Sequence, residues 1–280
     1  MNEFPGIDDV SSVATRDALH VYSRVLGDWL KSSRTKRKHW WHASLRPALH
    51  GLTTGVVHQG PGFELELNLR DSQLLVRTLQ GQELAETLHG QPASALAGSI
   101  AKFLTAQGLE QTFVPETSHI DGSADERPGY SADVARRLAD VLNSVAAAMT
   151  EFRAGIREET SPIQLWPHHF DLSMLWLPGE KIPGQDPADE EYSDKQMNFG
   201  FTFGDASIPE PYFYVSAYPQ PDAFPSIDLP AGTSWHAEGF NGAVLKYGNL
   251  CATDDPQGYL LDLWQRMLSA GREHMLTKSA

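Results

Sequence analysis

What this sequence lacks excludes several classes of function. Its single cysteine, Cys251, rules out a disulfide within the chain. That suits a reducing compartment, and the expected location is cytoplasmic. Cys251 stands near Tyr247 and Leu250 and is expected to be a buried, inert thiol rather than a nucleophile. No apolar run reaches the ~20 residues that a membrane-spanning helix needs. The segment MNEFPGIDDV has no basic region followed by an apolar core, so neither a membrane nor a secretory signal is expected. Positive charge is scarce: 22 Lys and Arg face 36 Asp and Glu, for a net charge of −14. That is the wrong sign for a partner coated in phosphates, so no nucleic acid is expected either. The one basic run, Lys31, Arg34, Lys36, Arg37 and Lys38, reads as a solvated connection, with a local anion site as its alternative. Also missing are a glycine-rich phosphate loop, a Cys/His zinc spacing and a G-x-S-x-G elbow.

What is present is an ordinary globular composition, 41% hydrophobic and 21% charged over 280 residues. Ala18, Leu19, Tyr22, Val25, Leu26, Trp29 and Leu30 recur at helical spacing and predict a first helix over 9–31. HWWHASLR reads as a strand, with Trp40, His42, Ser44 and Arg46 on one face. Residues 63–70 alternate cleanly and pair back as a hairpin with 73–79. Pro92 opens a helix that Gly108 closes. Residues 112–129 are a crossing connection, with a short strand predicted near 111–114. Ser131 caps the strongest periodic segment, whose stripe runs Val134, Leu138, Val141, Leu142, Val145, Met149, Phe152 and Ile156. An acidic, polar segment, 178–195, precedes a strand carrying Met197, Phe199, Phe201 and Phe203. YFYVSAY then sets Tyr212, Tyr214, Ser216 and Tyr218 on one face of the next strand. A strand pair, 233–236 with 243–247, and a helix opened by Asp255-Pro256 complete the chain.

The stretch SPIQLWPHHFDLSMLWL, 161–177, carries the densest chemistry. Taken as one strand it puts His169, Asp171, Ser173 and Leu175 on one face, and Phe170, Leu172, Met174 and Trp176 on a core face. An imidazole and a carboxylate then stand about 7 Å apart at the backbone. An ionised carboxylate is expensive to bury alone, so Asp171 either faces a solvated pocket or is paired. His168 points the other way and reads as structural.

Hairpin-length connections and terminal helices predict an α+β protein of mainly antiparallel sheet, with long helices packed on one side. The chain reads as a single compact unit over 1–280 whose halves, 1–125 and 126–280, follow a similar plan. WHASL aligns with FDLSM, FELELNLR with QMNFGFTF, and LLVRTLQG with YFYVSAYP. A true pseudo-repeat and a chance likeness of amphipathic strands both remain open. The alignment sets His42 beside Asp171.

At KHWWHASLRPALHGLTTG, SPIQLWPHHFDLSMLWLPG, EEYSD and FYVSAYPQP, the sequence resembles a bacterial family catalogued only as a domain of unknown function. The likeness runs in order over nearly the whole chain. It implies a signature of Trp40, Trp41, His42, Gly51, Thr53, Ser161, Pro162, Phe170, Asp171, Glu191, Tyr192, Ser193, Tyr214, Tyr218 and Pro219, and no activity. Where the family often reads Ser-His-Glu, this chain has Ser193, Asp194 and Lys195.

The candidate catalytic residues are therefore His42, Asp171 and Glu191, and the candidate ligand-binding residues are Trp41, Thr53, His169, Tyr192, Tyr214 and Tyr218. The leading expectation is a small-molecule ligand held in an aromatic pocket with a few polar groups. Were it an enzyme, His42 would be the general acid/base and Asp171 would orient it. A non-catalytic interaction module is one alternative, with the exposed aromatics as anchors. A divalent metal as cofactor, held by His42, His169, Asp171 and Glu191, is another, although no close-spaced metal motif supports it. The last alternative makes the aromatics and histidines plain core. Oligomeric state is not legible in the sequence.

Overall fold

The computed structural model describes residues 4–7, 9–189 and 191–276. It is an α+β protein with two antiparallel sheets. In chain order the elements are α1 (Asp9–Ser33), β1 (Arg46–Ala48), β2 (Gly51–Thr53), β3 (Phe63–Asn68), β4 (Gln73–Thr78), β5 (Glu83–Thr87), α2 (Ala93–Ala106) and α3 (Ala132–Ala154). There follow β6 (Glu159–Thr160), β7 (Gln164–Trp166), β8 (Asp171–Leu177), β9 (Gln196–Thr202), β10 (Tyr212–Tyr218), β11 (Thr233–His236), β12 (Gly242–Lys246), α4 (Tyr247–Cys251) and α5 (Pro256–Met275). Among the described residues, no helix is long and apolar enough to cross a membrane.

The chain divides into two compact units. One comprises 7–143 and 164–170; the other comprises 1–6, 144–163 and 171–280. In the first unit the sheet is a plain meander, β1-β2-β3-β4-β5. Phe63, Leu65 and Leu67 of β3 share a face with Val76 and Leu74 of β4 through the register Leu65↔Val76 and Leu67↔Leu74. That face is buried together with Leu26, Trp29 and Leu30 of α1, and Trp29 meets Phe63 edge-on at 5.8 Å. On the opposite face Arg77 bridges Glu66 (2.8 Å) and Glu83 (3.0 Å) across three strands.

In the second unit the strands run β11-β12-β10-β9-β8-β6. Met174 and Trp176 of β8, Met197, Phe199 and Phe201 of β9, and Phe213 and Val215 of β10 make a fully apolar face. The C-terminal half of α3 and α5 cover it: Phe152 lies 4.9 Å from Phe199 and 5.3 Å from Trp264. Burial of each such ring contributes roughly 1.5–3 kcal/mol. Arg272 of α5 holds the Glu158 carboxylate with two bonds, 2.6 and 2.7 Å, and draws its pKa down to about 2. A carboxylate held below its unfolded value stabilises the fold above that value and loses the contribution as pH falls through the folded one. Glu158→Gln is therefore expected to lower stability at pH 7 by ~1 kcal/mol, an amount held down by solvent screening of a partly exposed pair. The difference shrinks as pH falls from 4.5 towards about 2. Urea unfolding of both proteins at pH 7 and pH 3 measures it; an equal loss at both values would sink the ion-pair account.

Three expected elements are different in the structure. HWWHASLR is not a strand. Lys38–Trp40 form a 3-10 turn, because His39 and Trp40 both take left-handed backbone, at φ 50° and 56°, which ends any extended pairing. The stretch 161–177 is not one strand either: Phe170 at φ 57° separates β7 from β8. Gln111–Phe113 is a 3-10 turn and not a strand. The acidic segment 178–195 is closed at its neck. Ile182 N–H donates to Ser193 O (2.9 Å) and Lys195 N–H to Glu180 O (2.9 Å). Ion pairs Lys181–Asp194 (2.6 Å) and Lys195–Glu180 (2.7 Å) flank them. Asp194 and Lys195, the two residues that depart from the Ser-His-Glu pattern, thus tie the neck of a loop.

Candidate functional site

The polar groups converge on the outer face of β8, β9 and β10. The register places Ser173, Gly200 and Tyr214 in one cross-strand row, and Asp171, Thr202 and Tyr212 in the next. Residues in such rows are close neighbours on one face of the sheet. Gly200 stands between Asn198 and Thr202 on the outer face of β9, and the Tyr214 ring lies over it; a Cβ at Gly200 would overlap Cζ, Cε1 and the hydroxyl of Tyr214. Crossing that gap, Tyr214 donates a short hydrogen bond to Oδ2 of Asp171 on β8. The same hydroxyl is hydrogen-bonded by Ser173, and Nδ2 of Asn198 donates to it at 3.3 Å. Asp171 is only 6% exposed, so the pairing with Tyr214 answers the cost of burying its carboxylate. Oδ1 of Asn198 is buried with no hydrogen-bond partner among the described residues.

Burial first, and then the neighbouring Asp171 carboxylate, push the Tyr214 phenol well above its ordinary pKa. Tyr214 therefore stays protonated near neutral pH and works as a donor, neither a phenolate nor a base. Aromatic walls rise around it. Phe240 stacks on Tyr212 (6.3 Å, 13°) and meets Tyr214 edge-on at 6.1 Å. Tyr212 is itself fixed by a 2.6 Å bond to Asp205. Tyr214, Ser216 and Tyr218 are half-buried, so the row opens towards the Tyr218 end. There Tyr218 meets the 45%-exposed Tyr192 edge-on at 5.1 Å. Glu191 hydrogen-bonds Tyr192 and is the first cause of its raised pKa.

The other candidates fall in the first unit, each with partners there. His42 is buried; its Nδ1 accepts from Arg37 N–H at 3.1 Å, which places the proton of the neutral ring on Nε2. It stacks on Trp40 (5.6 Å, 26°), and Trp40 also carries the Lys36 ammonium at 5.7 Å. Trp41 carries the Lys38 ammonium at 5.3 Å. Thr53 donates to Glu64 Oε1 (2.6 Å) and accepts from Gly55 N–H (2.8 Å), which makes it a turn residue. His169 stands against His168 at 4.3 Å. The shared strand face expected for His169 and Asp171 does not exist, because the left-handed Phe170 lies between them. The structure thus brings together Asp171 with Tyr214, and Glu191 and Tyr192 with Tyr218. Asn198, Gly200 and Phe240 belong to this site and went unrecognised in the sequence. Only Gly200 carried a signal, a glycine inside a clean apolar strand, which marks close approach of another group. Among the described residues, no group of three or more His, Cys, Asp or Glu is arranged to hold a metal ion.

A family of unknown function (DUF5996) matches residues 4–276. No curated protein and no solved structure matches the chain.

Proposed function

The chain belongs to that family of unknown function, and from its own residues we propose that it binds a small organic molecule on the outer face of β8–β10. Asp171, Tyr214 and Asn198 are the polar anchors of the proposed site, and Tyr212, Tyr218 and Phe240 are its walls. One observation carries the reading. The strand gives up a side chain at Gly200 so that a tyrosine hydroxyl can reach a buried carboxylate, and the adjacent amide keeps an acceptor, Asn198 Oδ1, with no partner among the described residues. Buried acceptors of this kind are ordinarily filled, by water or by a ligand. Carboxylate and amide oxygens select hydrogen-bond donors, and the rings select a flat or apolar body. The ligand class is therefore an amine, amide or hydroxyl compound with an aromatic or aliphatic body. Binding is proposed here on the hydrogen bond from Tyr214 to Asp171.

Native mass spectrometry of the full chain, purified without tag or chelator, tests this together with thermal shifts against a library of such compounds. The wild type is expected to retain or gain an organic ligand, and Tyr214→Phe is expected to bind it at least tenfold more weakly. Tyr214→Phe keeps the ring that covers Gly200 and loses only the hydroxyl, whose bond to the Asp171 carboxylate, about 1.5–3 kcal/mol for a charged acceptor, holds the two anchors in place for the ligand. An apo mass with no stabilising compound would refute the reading, as would Tyr214→Phe binding like wild type.

A further inference from the structure

The turn between β7 and β8 is built at some expense in the first unit. Phe170 takes a left-handed backbone that a phenylalanine adopts at a cost of roughly 1 kcal/mol or more. His169 and Phe170 N–H both donate to Trp166 O, at 3.2 and 2.8 Å. Pro167 seats directly on α1 at Gly27, where a Cβ would stand 2.9 Å from Pro167 Cγ. A glycine inside a helix is unfavourable by ~1 kcal/mol relative to alanine. The result of these two concessions is the position of the histidines between them and α1. Nε2 of His20 lies 3.2 Å from His168 O, and its ring stacks on Phe170 at 5.6 Å. The His168 and His169 rings are 4.3 Å apart, and both residues are exposed. Arg24 follows His20 by one helical turn, on the same face of α1.

We propose that His20 and Arg24 of α1, with His168 and His169 of this turn, form a binding site for a small oxyanion, a phosphoryl or carboxylate group. Among the described residues no carboxylate pairs with any of the four; the nearby Lys31 is already taken by Asp28 at 3.1 Å. In a chain of net charge −14, four cationic or cationisable groups on one spot is an arrangement that an anion completes, with the Arg24 guanidinium offering the fork, the His168 and His169 imidazoles offering single N–H donors, and His20 tied to His168 O at 3.2 Å. Among the described residues, no group of histidines and carboxylates here meets the arrangement for a metal. The charge balance agrees with the geometry. Partial desolvation, and then His169, Lys31, His20 and Arg24, hold His168 down to about 4. Desolvation likewise lowers His20, with its bond to His168 O and Asp17 pulling the other way. A bound anion reverses these repulsions.

Histidine ring NMR of the full chain at pH 6, titrated with sodium phosphate or sodium acetate at ionic strength matched by sodium chloride, decides the matter. Saturable shifts of the His20, His168 and His169 rings are expected, with a rise of the His168 titration midpoint. Arg24→Gln and His169→Gln should each weaken the response about tenfold while leaving the backbone amide spectrum in place. Tighter phosphate binding assigns a phosphoryl group and tighter acetate binding a carboxylate. Equal shifts with chloride, no saturable shift with either anion, or full binding by both variants would overturn the site. The Tyr214 experiment is unaffected by any of these outcomes.

Discussion

Gly200→Ala is expected to destabilise the second unit by about 3–5 kcal/mol and to abolish ligand binding on its outer face. The backbone at Gly200 is ordinary strand, paired to both Tyr214 and Ser173, so conformational strain is not the cause. The cause is space. An added methyl falls on the Tyr214 ring, and the ring cannot step aside while its hydroxyl stays with Asp171, Ser173 and Asn198. If the tyrosine swings out, a buried carboxylate loses its donor, which is the expensive way to break such a pair. If it stays, the β9–β10 ladder must part. A double-mutant cycle in urea isolates the term. Tyr214→Ala removes the clashing ring, so adding Gly200→Ala to it should cost less than 1 kcal/mol more, far below the sum of the single effects. Additive losses would mean that the glycine serves some other purpose and that the Tyr214 bridge does not depend on it.

The parts of the fold that follow from local periodicity were legible in the sequence. α1, α2, α3 and α5 occupy the expected segments, as do the β3–β4 hairpin and the alternating β9 and β10. Ser131 and Asp255 do cap their helices, Oγ of Ser131 accepting from Val134 N–H at 3.4 Å and Oδ1 of Asp255 from Gly258 N–H at 3.0 Å. What failed were stretches where apolar and aromatic residues sit on left-handed backbone. Trp40 and Phe170 are residues that normally avoid positive φ, while His39 enters it more readily, so HWWH and HHFD carry an alternation that their backbone does not follow. Pro167 was the available warning in the second stretch, since it ends a strand more easily than it continues one. β5, ELAET, escaped notice for the opposite reason. Its pattern is exposed on alternate residues and holds one large apolar side chain, the half-buried Leu84, and its place comes from pairing with β4 more than from its own composition.

The candidate site was legible by residue type and not by pairing. Asp171, Tyr214 and Tyr218 emerged from alternation and resemblance, and they share one face. Their partners did not emerge, because register between β8, β9 and β10 is a tertiary property. A slip of one residue would have turned Tyr214 onto the core face. Register also explains how Asp171 comes to take a phenol: Gly200 lies directly between Ser173 and Tyr214, and nothing in the linear order of the chain says so.

A second glycine tests the same reasoning where no ligand is involved. Gly90, between β5 and α2, has φ +95° and carries a backbone where a Cβ would overlap the carbonyl of Arg127. That approach holds the connection after α2 in place. Arg127 N–H donates to Gly90 O at 2.6 Å, Ser94 N–H donates to Ser123 O at 2.9 Å, and the Arg127 guanidinium folds back on Gly122 O at 2.8 Å. Gly90→Ala adds left-handed strain of ~1–2 kcal/mol to a clash with backbone, which cannot move as a flexible side chain does. A loss of about 3–5 kcal/mol is expected, with the 112–129 segment becoming the first to exchange its amide hydrogens. Gly90→Asn separates the two contributions. Asparagine tolerates left-handed backbone but still carries a Cβ, so it should lose nearly as much as alanine. If asparagine instead restores most of the stability, the demand at this position is conformational, and the close packing of Arg127 against Gly90 is not what holds the segment down.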